Sequence, residues 1–347
     1  MENRYEIRKP INNIEFIKGI KLEKKIFNNS SANYFLENIH FSNSIIIKDC
    51  LKNKIVGFLI HVNRYAIILN IKQKVSFVSS VCIHPDYRNK GLSKGLIKES
   101  LYQLKRNKVS IAFVIARKKV DYFYNKFGFF GISSFPKIIL EKFIYLNNFN
   151  YYPIKSFSVT SEDLLSINRF YLNTYKKLDG FFYRNKIYWE YLIKKCKKDK
   201  FLFKKFVINN KTIGYAVFKN NEIIEIACKK IEYYNRLLNK ICEKNKSNNI
   251  IIYTNNEHDI NISLVDQDLK YCSRRIYYGG HLAKIIDSSV LKKTYNKNNK
   301  IKKLLNNSFF KNEENLIKYI FSSKNKISKG LNRLNDQDFY IRYLDQI

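Results

Sequence analysis

The chain has 347 residues, 45% of them hydrophobic, which suits about two domains with packed cores and excludes wholesale disorder. Its 64 Lys and Arg against 29 Asp and Glu leave a net charge of +35, so a partner attracted by charge is an anion: nucleic acid, an acidic membrane surface or an anionic small molecule. No apolar run approaches the ~18 residues needed to span a bilayer, and "MENRYEIRKP" lacks the apolar stretch of a secretory signal, so a soluble cytoplasmic protein without a membrane span is expected.

The first half reads as alternating strands and helices. "NRYEIRKP" is a short strand, and Ile14 to Phe27 and Ser31 to Ile39 are helical candidates. "SIIIKDC", "KIVGFLIHV" and "YAIILNIK" read as three antiparallel strands, with turns at "LKNK" and "NR". "VSFVSSVCIH" is a fourth long strand. The spacing of Leu92, Leu96, Ile97, Leu101 and Leu104 predicts a helix over Leu92 to Asn107. "SIAFVIA" is a buried strand, Val120 to Phe127 a short helix, and "PKIILEKFIYL" a closing strand.

A second unit starts near Tyr151. "TSED", Thr160 to Asp163, resembles a capping box and opens the helix "LLSINRFYLNTY". "NKIYWEYLIKKC" is another helix. "FLFKKFVIN", "KTIGYAVFK" and "NEIIEIAC" form a meander, followed by the helix "EYYNRLLNKICEK" and the strand "NIIIYT". This order repeats that of the first half and suggests a diverged tandem duplication. From Asp287 the chain is rich in Lys and Asn. We expect a small, partly helical region there, ending in an apolar "DFYIRYLDQI" that docks on the body. The expected units are therefore 1–150, 151–286 and 287–347.

The six cysteines form no CxxC pair and the five histidines no HExxH, so neither a metal centre nor a disulfide framework is expected, and buried thiols are the better reading. The excess of Lys fits a general bias toward Lys, Asn, Ile, Tyr and Phe as well as it fits a selected polyanion partner. An oligomer is compatible with the sequence but not indicated by it.

Chemistry concentrates at "IHPDYRNKGLSKGL", Ile83 to Leu96. A long strand stops at Pro85, Arg88-Asn89-Lys90-Gly91-Leu92-Ser93 follows, and a helix begins. The first amides of a helix have no partners within it and sit at the positive end of its dipole. Gly91 lets the backbone turn and approach a ligand closely. Arg88 and Lys90 add charge, and a pyrophosphate fits such a cradle.

This stretch resembles motif A of the GNAT (GCN5-related) acyl-CoA N-acetyltransferases, Arg/Gln-x-x-Gly-x-Gly/Ala after a long strand. Arg88 and Gly91 match, and Ser93 stands where Gly or Ala is usual. "YNKFGFF", Tyr124 to Phe130, resembles motif B, Tyr-x-x-x-Gly-Phe, and lies one helix and one strand further on. The resemblance implies an α/β (α+β) fold with two tandem GNAT-like mixed sheets flanked by helices, the second degenerate. It implies acetyl-CoA as cosubstrate and no metal. The amides from Arg88 to Ser93 would hold the pyrophosphate, and the main chain of Val81, Cys82 and Ile83 would pair with the pantetheine arm. Tyr124 would be the general acid for the leaving thiolate, on a helix whose Val120, Phe123, Tyr124 and Phe127 face inward. Arg117 stands where relatives often carry a cofactor-contacting Asn, and either would reach a phosphate instead or would leave that contact absent.

The general base is not evident. His84 reads as structural, Ser79 and Ser80 are able to hold a water, and Glu141 is a further candidate. The second unit has no Gly at its version of motif A, and Glu232 stands where an anion would need positive charge. It is expected to shape the acceptor site rather than bind coenzyme A, with Trp189 and Gly214-Tyr215 in its core. The layout also resembles tandem GNAT proteins of the enhanced-intracellular-survival type, whose terminal carboxylate serves as a base. That resemblance implies a role for the Ile347 carboxylate in the first unit's site.

The expected activity is acetyl transfer to a primary amine by direct attack within a ternary complex. The amine-bearing acceptor is unidentified, with a lean toward an anionic one. An acyl-cysteine route through Cys82 is disfavoured, because no His–acid arrangement accompanies it. The alternatives are a tRNA-dependent aminoacyl transferase of tandem GNAT type and a non-catalytic acyl-CoA- or nucleic-acid-binding protein.

Overall fold

The structure is a computed structural model that describes residues 4–28, 31–116, 120–132, 137–140, 154–178, 180–245, 249–254, 258–264, 269–270, 281–295 and 311–321. Arg117, Glu141, Ile347 and the ending "DFYIRYLDQI" lie outside them. The first half contributes β1 (Tyr5–Arg8), α1 (Asn13–Phe27), α2 (Ser31–Asn38), β2 (Ser44–Asp49), β3 (Lys54–Ile68) and β4 (Ile71–Ile83). It continues with α3 (Leu92–Arg106), β5 (Ile111–Ile115), α4 (Asp121–Asn125), β6 (Phe130–Gly131) and β7 (Lys137–Leu140). The second half contributes β8 (Lys155–Ser158), α5 (Leu164–Tyr175), α6 (Lys186–Lys198), β9 (Leu202–Ile208), β10 (Lys211–Lys219) and β11 (Glu222–Cys228). It ends with α7 (Tyr233–Asn245), β12 (Ile250–Tyr253), α8 (Ile260–Ser263), β13 (Leu269–Lys270), β14 (His281–Ile285), α9 (Ser288–Tyr295) and α10 (Glu313–Phe321). Among the described residues no helix is long and apolar enough to cross a membrane.

These strands form two mixed seven-stranded sheets flanked by helices, the class the sequence implies. Their orders are β1-β2-β3-β4-β5-β14-β6 and β8-β9-β10-β11-β12-β7-β13. Read side by side, the two orders match position for position. In each sheet the fourth and fifth strands run parallel: β4 with β5 over Val75–Phe77, and β11 with β12 over Glu222–Ile223. The sixth strand of each sheet comes from the other half of the chain. β14 pairs with β5 and β6, and β7 pairs with β12 and β13. Neither sheet is complete without a strand whose chain position lies outside its own half. α10 also returns to the first sheet, where Phe321 packs edge-on against Phe113 of β5 at 5.7 Å.

The β3/β4 hairpin departs from the expectation. β3 runs unbroken through Asn63 and Arg64, and the turn falls at Leu69–Asn70, both with left-handed backbones (φ 50° and 61°). Two consecutive positive φ values define the tight turn that suits strand twist. The polar pair at 63–64 misleads because its partners lie across the strand. Asn63 Nδ2 donates to Asn43 Oδ1 at 3.0 Å, and the buried Arg64 guanidinium sits 4.1 Å from the Tyr188 ring and donates to the Tyr183 carbonyl at 3.1 Å. Segment 180–183 of the second half continues this contact through Gly180 N–H to the Ile67 carbonyl and Ile67 N–H to the Phe181 carbonyl. Backbone hydrogen bonds thus join the two halves.

The core divides by sheet face. α1 lies on one face of the first sheet with Phe16, Ile20, Phe58, Ile60 and Cys82, and α3 lies on the other with Leu92, Leu96, Ile97 and Leu104. α1 approaches closely because Gly19 has no side chain: a Cβ there would fall 2.2 Å from the Phe58 ring. In the second unit Trp189 is buried and donates from Nε1 to Asn168, and Arg184 pairs bidentately with Glu225 at 2.8 and 2.7 Å in full burial. Tyr215 donates to that same carboxylate, and Trp189, Gly214 and Tyr215 are all buried as expected. Cys50 departs from the expected burial, since it lies on the exposed turn after β2.

α3 is tied to β3 by the buried His61, whose Nε2 lies 2.7 Å from Ser100 Oγ. Burial pulls His61 down from 6.5 to about 3. Between those values the unfolded chain binds a proton that the folded chain excludes. This contribution to stability is complete above 6.5 and falls as pH drops through the window. His61→Gln, which can keep a bond to Ser100, is expected to lose less denaturation midpoint than the parent between about pH 7.5 and about pH 5. Parallel losses in the two proteins would contradict this assignment.

Candidate functional site

Beyond Phe77 and Phe113 the parallel pair β4/β5 separates. Among the described residues no strand pairs with β4 on that side from Val78 to Ile83. The other side of β4 stays on β3: Cys82 lies opposite Phe58, and His84 N–H donates to the Val56 carbonyl at 2.8 Å. Antiparallel alternation then turns the main-chain groups of Val81 and Ile83 into the gap. Arg88 reaches across it, with Nε 3.4 Å from the Ile83 carbonyl. Buried main-chain groups demand partners, so an edge of this kind suits an extended ligand.

β4 also carries a bulge. Phe58 pairs with Cys82 but Ile60 with Ser79, so one extra residue is fitted in between, and Ser80 adopts a left-handed backbone at φ 55°. A bulge bends the strand locally and re-aims its side chains. Ser79, Ser80 and Val81 are half-buried at this bend.

The gap opens on the turn before α3. His84 caps a single 3-10 turn over Pro85–Tyr87, which keeps it structural. Tyr87 anchors that turn by donating its hydroxyl to Asp49, a buried carboxylate that also holds Arg4 at 3.1 Å. Asn89 (φ 61°) and Gly91 (φ 72°) then turn the chain into α3. A Cβ at Gly91 would meet nothing within 4 Å, so this glycine answers a backbone need and faces open space. Alternating left-handed residues at a helix start aim successive N–H groups into one concavity, which favours anions. Val81, Cys82, Ile83, Arg88, Asn89, Gly91, Leu92 and Ser93 line one cavity of about 390 Å³. Lys90 is exposed beside it, with its ammonium 5.3 Å from the Tyr87 ring. Eight of the nine described residues expected at the cofactor therefore line one cavity, with Lys90 outside it. The curvature and open volume suit a diphosphate with an extended arm.

Tyr124 is buried on α4 among Phe123 and Phe129, on the α3 face of the sheet. Phe123 and Phe127 are half-buried, but Val120 is exposed, so the inward face of α4 is narrower than expected. Burial pushes the Tyr124 hydroxyl up to about 12, so it holds its proton at neutral pH. Burial also pushes the Cys82 thiol up to about 12, with the nearby Glu23 adding to the shift.

Glu23 is a buried acid beside the β4 bend that sequence reasoning misses. It is fully buried on α1, and its Oε1 accepts a hydrogen bond from Ser80 Oγ at 3.2 Å. The signal lies in the helical spacing: Phe16, Gly19, Ile20 and Glu23 share the buried face of α1, and an acid on an apolar stripe is costly unless it is held by partners. Lys24 and Asn28, on the same last turns, line a second cavity of about 370 Å³ between α1, α2 and α6.

The second sheet closes the equivalent gap. β11 parts from β12 after Ile223, but Tyr175 Oη donates to the Ile226 carbonyl at 2.7 Å and accepts from Ile226 N–H at 3.0 Å. His258 Nε2 lies 3.1 Å from the same carbonyl. Side chains of the protein thus occupy the main-chain groups that remain open in the first sheet.

Residues 10–132 match the family model described as an acetyltransferase (GNAT) domain. The first unit is thus a GNAT domain, and through it the chain is an acyltransferase. A comparison with curated proteins gives no match. Among solved structures, a GCN5-related N-acetyltransferase from Anabaena variabilis is 14% identical with a TM-score of 0.63, over 83% of this chain and 74% of its own. A conserved protein from Enterococcus faecalis is 14% identical with a TM-score of 0.64, over 84% and 75%. Eis1 from Mycobacterium abscessus is 11% identical with a TM-score of 0.60, over 84% and 75%. At such identities the likeness establishes the fold, and it spans both sheets.

Thiol chemistry checks the burial on β4. Iodoacetamide at about pH 8 should label the exposed Cys50 and leave Cys82 unmodified in the folded protein, read by peptide mass spectrometry. Rapid labelling of Cys82 without unfolding would contradict the site as described.

Proposed function

We propose that the first unit transfers an acetyl group from acetyl-CoA to an amine, with donor and acceptor bound together. The observation that carries this reading is the open edge of β4 leading into the left-handed turn at Asn89 and Gly91. When bound, acetyl-CoA supplies an activated thioester whose sulfur leaves as a thiolate. The amides from Arg88 to Ser93, with Arg88 and Lys90, hold its diphosphate, and the main chain of Val81 and Ile83 orients its arm. Arg117 is assigned a phosphate contact.

Main-chain polarity at the β4 bend stabilises the developing charge on the carbonyl oxygen. Tyr124 holds a proton at Oη for the departing sulfur, and its raised proton affinity keeps the hydroxyl protonated at working pH. Cys82 plays no covalent part, because a buried thiol held at about 12 is not a nucleophile at neutral pH.

The acceptor enters on the α1 side. The cavity between α1–α2 and α6 carries Lys24, Lys194, Lys195 and Lys198 against Glu37 and Glu190, which favours an amine that also bears phosphate or carboxylate. An aminoacyl transferase using charged tRNA has no need of the β4 edge and its diphosphate cradle, and a purely binding protein has no need of a buried acid such as Tyr124. The protein acts as a soluble cytoplasmic enzyme.

Calorimetric titration with acetyl-CoA and a thiol-release assay over a panel of anionic and neutral amines test this reading. Tyr124→Phe should bind acetyl-CoA with parent affinity and lose about 10²-fold or more in kcat. Parent-like release from the variant would refute the assigned acid, and absent binding by the parent would refute the reading as a whole.

A further inference from the structure

We infer that Ser80 and Glu23 form a two-residue proton relay that deprotonates the acceptor amine, an inference that rests on the acyl-transfer reading above. Ser80 lies on the bulge of β4, next to Val81, the first of the three strand residues that line the cavity. Its left-handed backbone (φ 55°) is a state that side-chain-bearing residues avoid. That conformation is maintained where Ser80 Oγ donates to Glu23 Oε1 at 3.2 Å. Ser80 is half-buried, whereas Glu23 has 0% exposure, so in the relay Glu23 meets a substrate proton through Ser80. Gly19, one turn earlier on α1, lets the helix lie close enough for this reach.

The chemistry needs such a group. An alkyl ammonium carries no lone pair and cannot attack a carbonyl until it loses a proton. In the relay an N–H bond breaks and an Oγ–H bond forms at Ser80. The original Ser80 Oγ–H bond breaks and an Oε1–H bond forms at Glu23. The amine gains its lone pair, Glu23 becomes neutral, and its proton later returns to water by the same route.

Other titratable groups around α1 do not take this role. Cys82 on β4 holds its proton tightly. Lys48 on β2 lies 3.9 Å from Glu15 at the far end of α1, and Arg64 on β3 stacks on Tyr188. Lys25, Lys54, Arg88 and Asp86 surround His84 at the cavity mouth, where burial comes first, and then Lys54, in lowering its proton affinity. Tyr34 and Glu37 of α2 face the second cavity. In the second sheet the residue reaching from the corresponding helix is Tyr175, whose hydroxyl is engaged by both main-chain groups of Ile226.

Glu23→Gln and Ser80→Ala test the relay in the full chain, with Glu23→Asp as the conservative variant. Glu23→Gln should lower kcat about 10²–10³-fold with acetyl-CoA affinity, read by calorimetry, within about threefold of the parent, and Glu23→Asp should restore part of the loss. The acidic limb of the kcat/KM profile should vanish in Glu23→Gln. In the free protein, the ¹³C carboxyl resonance lost in Glu23→Gln should titrate at the pH of that limb and move in Ser80→Ala. A merely structural Glu23 would shift melting temperature without altering the limb. An unchanged limb in Glu23→Gln, or a Glu23 resonance indifferent to Ser80→Ala, would overturn the relay while leaving acyl transfer intact. Absence of turnover in the parent would instead remove the reading on which the relay rests. If Glu23→Gln does not fold, Ser80→Ala carries the same comparison.

Discussion

The structure turns on an edge of β4 that no strand among the described residues covers. β4 and β5 share only three parallel residue pairs before they part, and the main-chain groups of β4 beyond that point face a gap rather than a strand. A buried peptide edge is costly to leave open, so it must be filled by solvent, by the protein itself or by a ligand. Both sheets pose this problem and answer it differently. In the second, Tyr175 and His258 satisfy Ile226 from within. In the first, the edge runs toward Arg88 and the glycine turn, which offer further main-chain donors. One architecture thus leaves the β4 edge facing a gap in the first sheet and satisfies the matching groups with side chains in the second.

The exchange of sixth strands explains why the closed copy is retained. β14 completes the first sheet beside β5, and β7 completes the second beside β12. Each sheet depends on the other half of the chain for its sixth strand, and the 180–183 segment adds backbone bonds to β3. The second unit's buried Arg184–Glu225 pair lies under Tyr171 and Trp189, a rigid support for a face that meets α2 through Tyr34 and Tyr191 at 4.3 Å. A fixed second unit gives the α1–α2 side a fixed wall.

Local chemistry makes much of this legible in the residues alone. The helix at Leu92–Arg106 follows from its apolar spacing, the turn before it from Gly91, and the capping box at Thr160–Asp163 from its residue types. Long-range facts are not legible in the same way. Asn63 and Arg64 look like a turn because nothing nearby reveals that Asn43 and Tyr188 await them. β7 reads as a strand from its apolar run, but its sheet partner β12 lies far along the chain in the other half. β14 is short and does not stand out as a strand at all until β5 and β6 are placed on either side of it. Glu23 escapes notice because a solvated helical face is the ordinary setting for Glu, although its spacing from Phe16, Gly19 and Ile20 puts it on the buried face. The basic charge distinguishes neither a polyanion partner nor a general composition bias, since lysines spread over both units.

Backbone hydrogen exchange with and without acetyl-CoA tests the central claim most directly, because it reads the amides themselves. The cosubstrate should slow exchange at residues 81–83 and 88–93 and leave residues 224–236 of the second unit unchanged. Slowing confined to the second unit, or none at the β4 edge and the turn at saturating cosubstrate, would contradict it.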